Sequence, residues 1–307
     1  MPSAFGAPVV IADVRAGRGR LAAALPDLER ALRERGIDYR LVRAGGPAEV
    51  RAAAREAALG GERYLVAAGD DATVHQVVNG VLGPDGRPLA PGLVLGVVAG
   101  GLECDFIRTF GLPADTERAV GHLAGGATYA IDVGRVTCRG TGGEEVVRHF
   151  ATAAQVGLGA AVRERLGRLP PRLGRARYFV AFWLTLATFR RPRAAVRTGG
   201  RSVEEVVRNV VVANCQFHDG LFVSPRSWPG DGLLDVLVMT GPRSEAFTLL
   251  PKLFRGEHLP HPHIVELKAR TVQVEADPPQ WVEADGEVVG RTPATFEAVV
   301  KPLSLKV

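Results

Sequence analysis

The chain has 307 residues, 46% hydrophobic and 23% charged, with a net charge of +5. This suits a soluble globular protein with room for two cores, and no run reaches the ~18 apolar residues of a membrane span. Cys104, Cys138 and Cys215 are too scattered for a disulfide framework or a paired-cysteine metal site. The positive charge is almost all arginine, since lysine occurs only at Lys252, Lys268, Lys301 and Lys306. Abundant Ala, Gly and Arg make this a matter of overall composition before one of function. The first residues carry neither a signal nor a transit pattern, so a cytoplasmic protein is expected.

Elements alternate in the first 130 residues. Residues 9–11 form a short apolar run, and Leu21, Leu25, Leu28 and Leu32 recur at helical spacing over 19–35, interrupted by Pro26. A strand is expected at 39–42 and an Ala-rich helix at 48–59, stopped by Gly60-Gly61. One device then occurs twice. Apolar residues 64–68 lead into Gly69-Asp70-Asp71-Ala72-Thr73 and a helix over 74–82. Apolar residues 93–98 lead into Ala99-Gly100-Gly101-Leu102-Glu103-Cys104 and a helix opening at Asp105-Phe106. A tight strand-to-helix turn aims backbone N–H groups at the space above the strand ends, where phosphates bind. A further helix over 115–123 ends at Gly125-Gly126. This order predicts a doubly wound, mainly parallel sheet in a nucleotide-binding α/β domain over residues 1–128, with Asp71 and Asp105 at the carboxyl ends of adjacent strands.

After Tyr129 the apolar residues alternate, at 206–213, 233–239, 264–267, 271–276 and 296–299. They predict a β-rich, sandwich-like domain over 129–307, its last strand returning to the first domain, with helical insertions at 175–189 and 244–254. The helix at 178–184 is apolar and flanked by Arg165, Arg168, Arg172, Arg175, Arg177, Arg190, Arg191 and Arg193. Such a segment is either a core helix with solvated ends or a surface that meets anionic lipid. No nucleic-acid motif is present, so no nucleic-acid partner is expected. His258, His261 and His263 sit among prolines and read as a surface loop before a metal site.

Single residues have competing roles. Asp71 either holds a Mg²⁺–phosphate pair and positions a hydroxyl, or caps the helix starting near Thr73, for which Thr73 is the better cap. Asp105 has the same two readings. Ala284-Asp285-Gly286-Glu287 is a plain turn sequence that also carries two carboxylates.

These motifs together resemble the diacylglycerol kinase catalytic-domain family of lipid kinases, distantly akin to NAD kinases. Gly69 to Thr73 followed by Gln76-Val77-Val78-Asn79-Gly80 is similar to the family's Gly-Gly-Asp-Gly-Thr and Glu-Val-Val-Asn-Gly. Gly101 to Arg108 is similar to Gly-Thr-Gly-Asn-Asp-Phe-Ala-Arg, and Asp13 to Gly19 weakly to the opening Asn-Pro-x-Ser-Gly-x-Gly. Asp231-Gly232-Leu233-Leu234-Asp235 and Asp285-Gly286-Glu287 match in the second half, in the same order. The resemblance implies ATP and Mg²⁺ over Gly17, Arg20, Gly69, Asp70, Thr73, Gly101 and Asp105. It implies catalytic roles for Asp71, Asp285 and Glu287, with Glu287 as base toward a diacylglycerol- or sphingoid-like lipid hydroxyl. A structural metal would bind Asp231 and the carbonyls of Trp228 and Leu233. A homodimer with peripheral membrane contact is also expected.

The chain departs from the pattern at both turns. Asp70 and Ala72 replace two glycines, and Leu102, Glu103 and Cys104 replace Thr, Gly and Asn. Like charges ~4 Å apart cost on the order of 4 kcal/mol at an effective dielectric near 20, so ATP is expected to bind weakly and with divalent metal. The rival is a catalytically degenerate homologue, acting as a binding or regulatory module or reusing the fold for another small-molecule reaction.

Overall fold

The computed structural model describes residues 5–174 and 176–307, so Arg175, at the expected start of the arginine-flanked helix, lies outside the described residues. The chain divides into two units. The first is the chain up to Val133 with Pro229–Asp231 and Val299–Val307; the second is Gly134–Trp228 with Gly232–Ala298.

In the first unit β1 (Val9–Asp13) leads to α1 (Arg20–Glu34), β2 (Arg40–Ala44) to α2 (Pro47–Leu59), and β3 (Tyr64–Ala68) to α3 (Asp71–Val81). β4 (Val94–Val98) leads to α4 (Asp105–Thr109) and α5 (Thr116–Ala124). The strands pair in parallel in the order β2-β1-β3-β4, with Val10 beside Leu41 and Val66, and Val66 beside Gly96. Alternation puts Val10, Ala12, Val66 and Ala68 on one face, where they meet Leu21, Leu25, Leu28 and Leu32 of α1 and Val120 and Leu123 of α5. α1 runs through Pro26 without ending. An interior proline costs about 3 kcal/mol, less than the ~1.5–3 kcal/mol each that four buried leucines contribute.

The second unit is antiparallel. β5 (Thr128–Arg139) starts in the first unit and forms a hairpin with β6 (Glu145–Phe150). Then come β7 (Ala153–Gly157), α6 (Leu158–Arg168), α7 (Ala176–Thr188), β8 (Arg193–Thr198), β9 (Ser202–Val206), β10 (Asn209–Ala213) and β11 (Leu234–Met239). α8 (Ala246–Arg255), β12 (Ile264–Ala269), β13 (Thr271–Asp277), β14 (Trp281–Ala284) and β15 (Glu287–Lys306) complete it. The central order is β12-β11-β10-β7-β14-β15, while β13 joins β15 to β8 and β9. Val210 and Val212 face a core shared with Val236, Val272, Val274 and Phe296. Val211 and Ala213 face the other way, toward Val223, Leu237 and Leu249 of α8. This is a β sandwich with helices on one outer face. The last residues of β15 lie in the first unit, where Ser304 and Leu305 pair in parallel with Val94 and Leu95 of β4.

The helix α6 was not expected, because Gly159 and Gly167 and three arginines blur its apolar face. The single strand expected at 206–213 is two strands, β9 and β10, broken at Val207-Arg208. Among the described residues no helix is long and apolar enough to cross a membrane.

Candidate functional site

The turn after β3 needs glycine at position 69. Its φ is +154°, and a Cβ there would lie 2.1 Å from Thr73 Oγ1. Asp70 then caps α3, accepting from Thr73 N and Thr73 Oγ1, both at 3.3 Å. Thr73 is thus the donor at this cap, not the capping residue expected from sequence. Asp71 also caps a helix, but the helix is α4. Its Oδ2 accepts from Asp105 N at 2.8 Å, and its Oδ1 from Phe106 N at 2.9 Å and Cys104 Sγ at 3.4 Å. One carboxylate therefore clamps the two turns together. Burial, then the Asp71 charge, pushes the Cys104 thiol well above its usual range, which keeps it protonated and inert.

Asp105 is buried and accepts from Arg108 Nη1 at 2.7 Å. In the turn after β1, Arg20 Nε donates to Gly17 O at 3.2 Å. A Cβ on Gly17 would lie 2.3 Å from Leu102 Cδ2, so the leucine that replaces the family threonine packs directly over this turn. Gly101 has φ +76° and open space where a Cβ would be, and Glu103 beside it is exposed.

A triphosphate ordinarily meets the N–H groups that open such helices. Here Asp70 engages Thr73 N, and Asp71 engages the first two N–H groups of α4. Bare phosphate would face carboxylates. Asp13, Asp70, Asp71 and Asp105 stand at the ends of three neighbouring strands, but Asp70 and Asp71 serve as caps, Asp105 pairs with Arg108, and among the described residues the four do not gather into a cation site. The exposed Arg15, Arg18 and Arg20 supply guanidinium groups beyond β1. A divalent cation there would have to be held in large part by the nucleotide's own phosphates.

In the second unit Asp285, at φ +47°, anchors its turn. Its carboxylate accepts from Ala151 N at 2.7 Å, Thr152 N at 2.9 Å, Ala153 N at 3.2 Å and Thr152 Oγ1 at 2.6 Å. Glu287 opens β15 with Oε1 3.5 Å from Arg148 Nε and its side chain 36% exposed. Asp231 is exposed and belongs to the first unit; Trp228 and Leu233 belong to the second.

Beside Asp285 lies a buried polar network that sequence reading missed. His218 Nδ1 is 3.1 Å from Thr152 Oγ1, whose proton is already donated to Asp285. His218 Nε2 is 3.2 Å from Glu283 Oε1. Both ring nitrogens therefore face acceptors, an arrangement that favours the imidazolium form. Burial opposes that charge, but the Glu283 carboxylate and its hydrogen bond outweigh it and raise the His218 pKa. Burial likewise opposes the Glu283 charge, and His218, Arg163 and the Gly286 N–H outweigh it and lower the Glu283 pKa. Arg163 also pairs with Asp219.

His218, Asp219 and Gln155 line part of a pocket of about 130 Å³ that is partly open to solvent. Most of its wall is apolar, including Leu158, Val162, Phe182, Leu249 and Leu253. An amphiphile with a long apolar part and a polar end suits such a lining. Outside it, Phe179 of α7 and Phe247 of α8 are 64% and 66% exposed, and the rings of Trp183 and Phe247 lie 4.9 Å apart. The arginine-flanked helix is thus half exposed, with only Ala181, Thr185 and Leu186 buried.

The family model described as "Diacylglycerol kinase catalytic domain" matches residues 7–136, and that described as "YegS C-terminal NAD kinase beta sandwich-like domain" matches 152–307. A curated relative named diacylglycerol kinase, from Mycobacterium tuberculosis, is 28% identical over 99% of this chain and 95% of its own length. One of the same name from Bacillus subtilis is 28% identical over 80% of this chain and 77% of its own. The fold is that of a Bacillus anthracis crystal structure bearing the diacylglycerol kinase name, at TM-score 0.72 and 21% identity, covering 99% of this chain and 97% of that one.

Proposed function

The chain belongs to the diacylglycerol kinase catalytic-domain family, and from that premise we propose that it transfers the γ-phosphoryl group of ATP to the hydroxyl of a diacylglycerol- or sphingoid-like lipid. The observation that carries this reading is the second unit's pocket, apolar over most of its wall with polar groups confined to one part. The nucleotide belongs to the first unit. Arg18 and Arg20 would hold its phosphates, and Mg²⁺ carried chiefly by those phosphates would offset their charge when bound. Glu287 takes the proton of the acceptor hydroxyl as its oxygen bonds to phosphorus, and the bridging oxygen leaves with ADP.

Divalent metal is expected to be indispensable. Mixed-micelle assays with labelled ATP should yield phosphorylated diacylglycerol or sphingoid base with Mg²⁺ and none with excess chelator. Calorimetry should show ATP binding only in the presence of the metal. Tight ATP binding without metal would remove the carboxylates from the phosphate site.

A second reading has its own support. Leu102 packs over Gly17, and Asp70 and Asp71 occupy the N–H groups at the helix starts, as a degenerate homologue that only binds ligands would allow. Lipid binding with no phosphoryl transfer under any metal would select it.

The exposed aromatics suggest peripheral membrane contact. Sedimentation should show binding to anionic vesicles in preference to neutral ones, with most of it released by about 0.5 M salt. Phe179→Ser combined with Phe247→Ser, and separately Arg172→Gln, should each weaken it. Arg177 is a poor choice for this test, because it donates to the carbonyls of Leu166 and Gly167 and holds the end of α6. Equal binding to neutral vesicles would dismiss an electrostatic attachment.

A further inference from the structure

We propose that Glu245, His261 and His263 form a binding site for a divalent transition ion of the zinc class. The sequence places His258, His261 and His263 together, but the fold regroups them. His258 turns inward, is 1% exposed, and its Nε2–H donates to Val223 O at 3.0 Å. Glu245, just before α8, takes its place. One ring nitrogen of each remaining histidine and one Glu245 oxygen lie within 4.8 Å of one another.

Three observations favour a metal over a plain ion pair. Glu245 Oε1 already meets His263 Nδ1, yet among the described residues its buried Oε2 has no hydrogen-bond partner. An under-satisfied carboxylate at a partly buried site is stabilised by a bound cation. Second, His263 N donates to His261 Nδ1 at 3.2 Å, which fixes the His261 ring beside His263. Third, the backbone under the histidines is fixed, since His263 O accepts from Thr240 N at 2.9 Å and His261 O from Ile264 N at 3.1 Å.

The ligand chemistry selects the ion. Two imidazoles and one carboxylate with a position left for water suit Zn²⁺; Mg²⁺ and Ca²⁺ need more oxygens. Nearby cations oppose binding. Arg208 senses Glu245, with Arg191 and Arg243 close to it. Their guanidinium groups are engaged with backbone carbonyls, Arg208 and Arg191 with Gly241 O and Arg243 with Ala187 O. Imidazole nitrogens keep their affinity for Zn²⁺ under these conditions, whereas a purely electrostatic Mg²⁺ site would not.

Glu245 and His263 also line the apolar pocket, so the ion would fasten the start of α8 to the segment before β12 at the pocket wall. The proposal does not rest on the kinase reading. Its test uses the full chain without a histidine tag, stripped by chelator. Titration with Zn²⁺ should show one saturable site per chain and a raised melting temperature. Co²⁺ should give the visible absorption of a four- or five-coordinate nitrogen–oxygen site. His261→Gln with His263→Gln, and separately Glu245→Gln, should each weaken Zn²⁺ binding by about tenfold or more, while His122→Gln, an exposed histidine elsewhere, should not. No saturable site in the native chain, six-coordinate Co²⁺ spectra only, or a site that survives the double change would overturn the proposal.

Discussion

Replacing His218 by Leu is expected to lower the unfolding free energy by about 3–5 kcal/mol, the cost of leaving a buried ion without its partner. Glu283 is 0% exposed, and His218 is 3% exposed. Without the imidazolium, the Glu283 carboxylate keeps, among the described residues, Gln155 Nε2 at 3.3 Å, Gly286 N at 3.0 Å and the field of Arg163. Denaturant unfolding measures the loss. Adding Glu283→Gln should recover much of it, because the uncompensated charge disappears. A coupling energy near zero between the two sites would show that they do not act as a pair.

The same pair gives a pH dependence whose sign is fixed. His218 is raised from 6.5, so its contribution is full below about 6.5 and is lost as pH rises through the raised value. Glu283 is lowered from 4.5, so its contribution is full above about 4.5 and is lost as pH falls through the lowered value. The difference in stability between the native chain and a His218→Gln, Glu283→Gln double variant should therefore be largest between about pH 4.5 and 6.5. It should shrink on either side. A difference that grows toward alkaline pH would mean His218 is neutral in the fold.

Much of the first unit was legible because its signals are local. Leu21, Leu25, Leu28 and Leu32 announce α1 by spacing alone, and Gly60-Gly61 mark the end of α2. The two repeated turns locate the ends of β3 and β4. What each carboxylate does there was not legible, since Asp71 reaches 34 residues ahead to Asp105 N, while its neighbour Asp70 takes the local cap. Pattern reading assigns caps to the adjacent helix and has no means of seeing this exchange. The second unit hid more. His218 and Glu283 are 65 residues apart, and neither sits in a motif. Their meeting depends on β7 and β14 pairing in register, with Gln155 opposite Glu283. Similarly, β15 runs for 20 residues although only 296–299 carry a clear alternation. Pairing with β13, β14 and β4 holds it extended where its own sequence is ambiguous.

Glu287→Gln is expected to reduce turnover by about 10²–10⁴-fold, the usual cost of losing a general base, with little change in fold or in ATP affinity. The geometry separates Glu287 from the acid two residues before it. Asp285 holds three backbone N–H groups and a hydroxyl, so its carboxylate is engaged in fixing the turn. That turn, with φ +47° at Asp285 and +87° at Gly286, presents Glu287 at the start of β15. Its 36% exposed side chain is near Arg148 at 3.5 Å. Such a carboxylate can meet a hydroxyl, whereas that of Asp285 is occupied in holding the turn. The two residues should therefore fail differently. Asp285→Asn should lower stability, because several buried donors lose a charged acceptor, each such bond being worth about 1.5–3 kcal/mol. Glu287→Gln should leave stability within about 0.5 kcal/mol. For Glu287→Gln the defect should fall on kcat and leave the KM for ATP within a few fold, as expected when an interaction belongs to the transition state. Paired unfolding and steady-state measurements on both variants decide the matter. Near-native turnover in Glu287→Gln would move the proton acceptor elsewhere in the second unit.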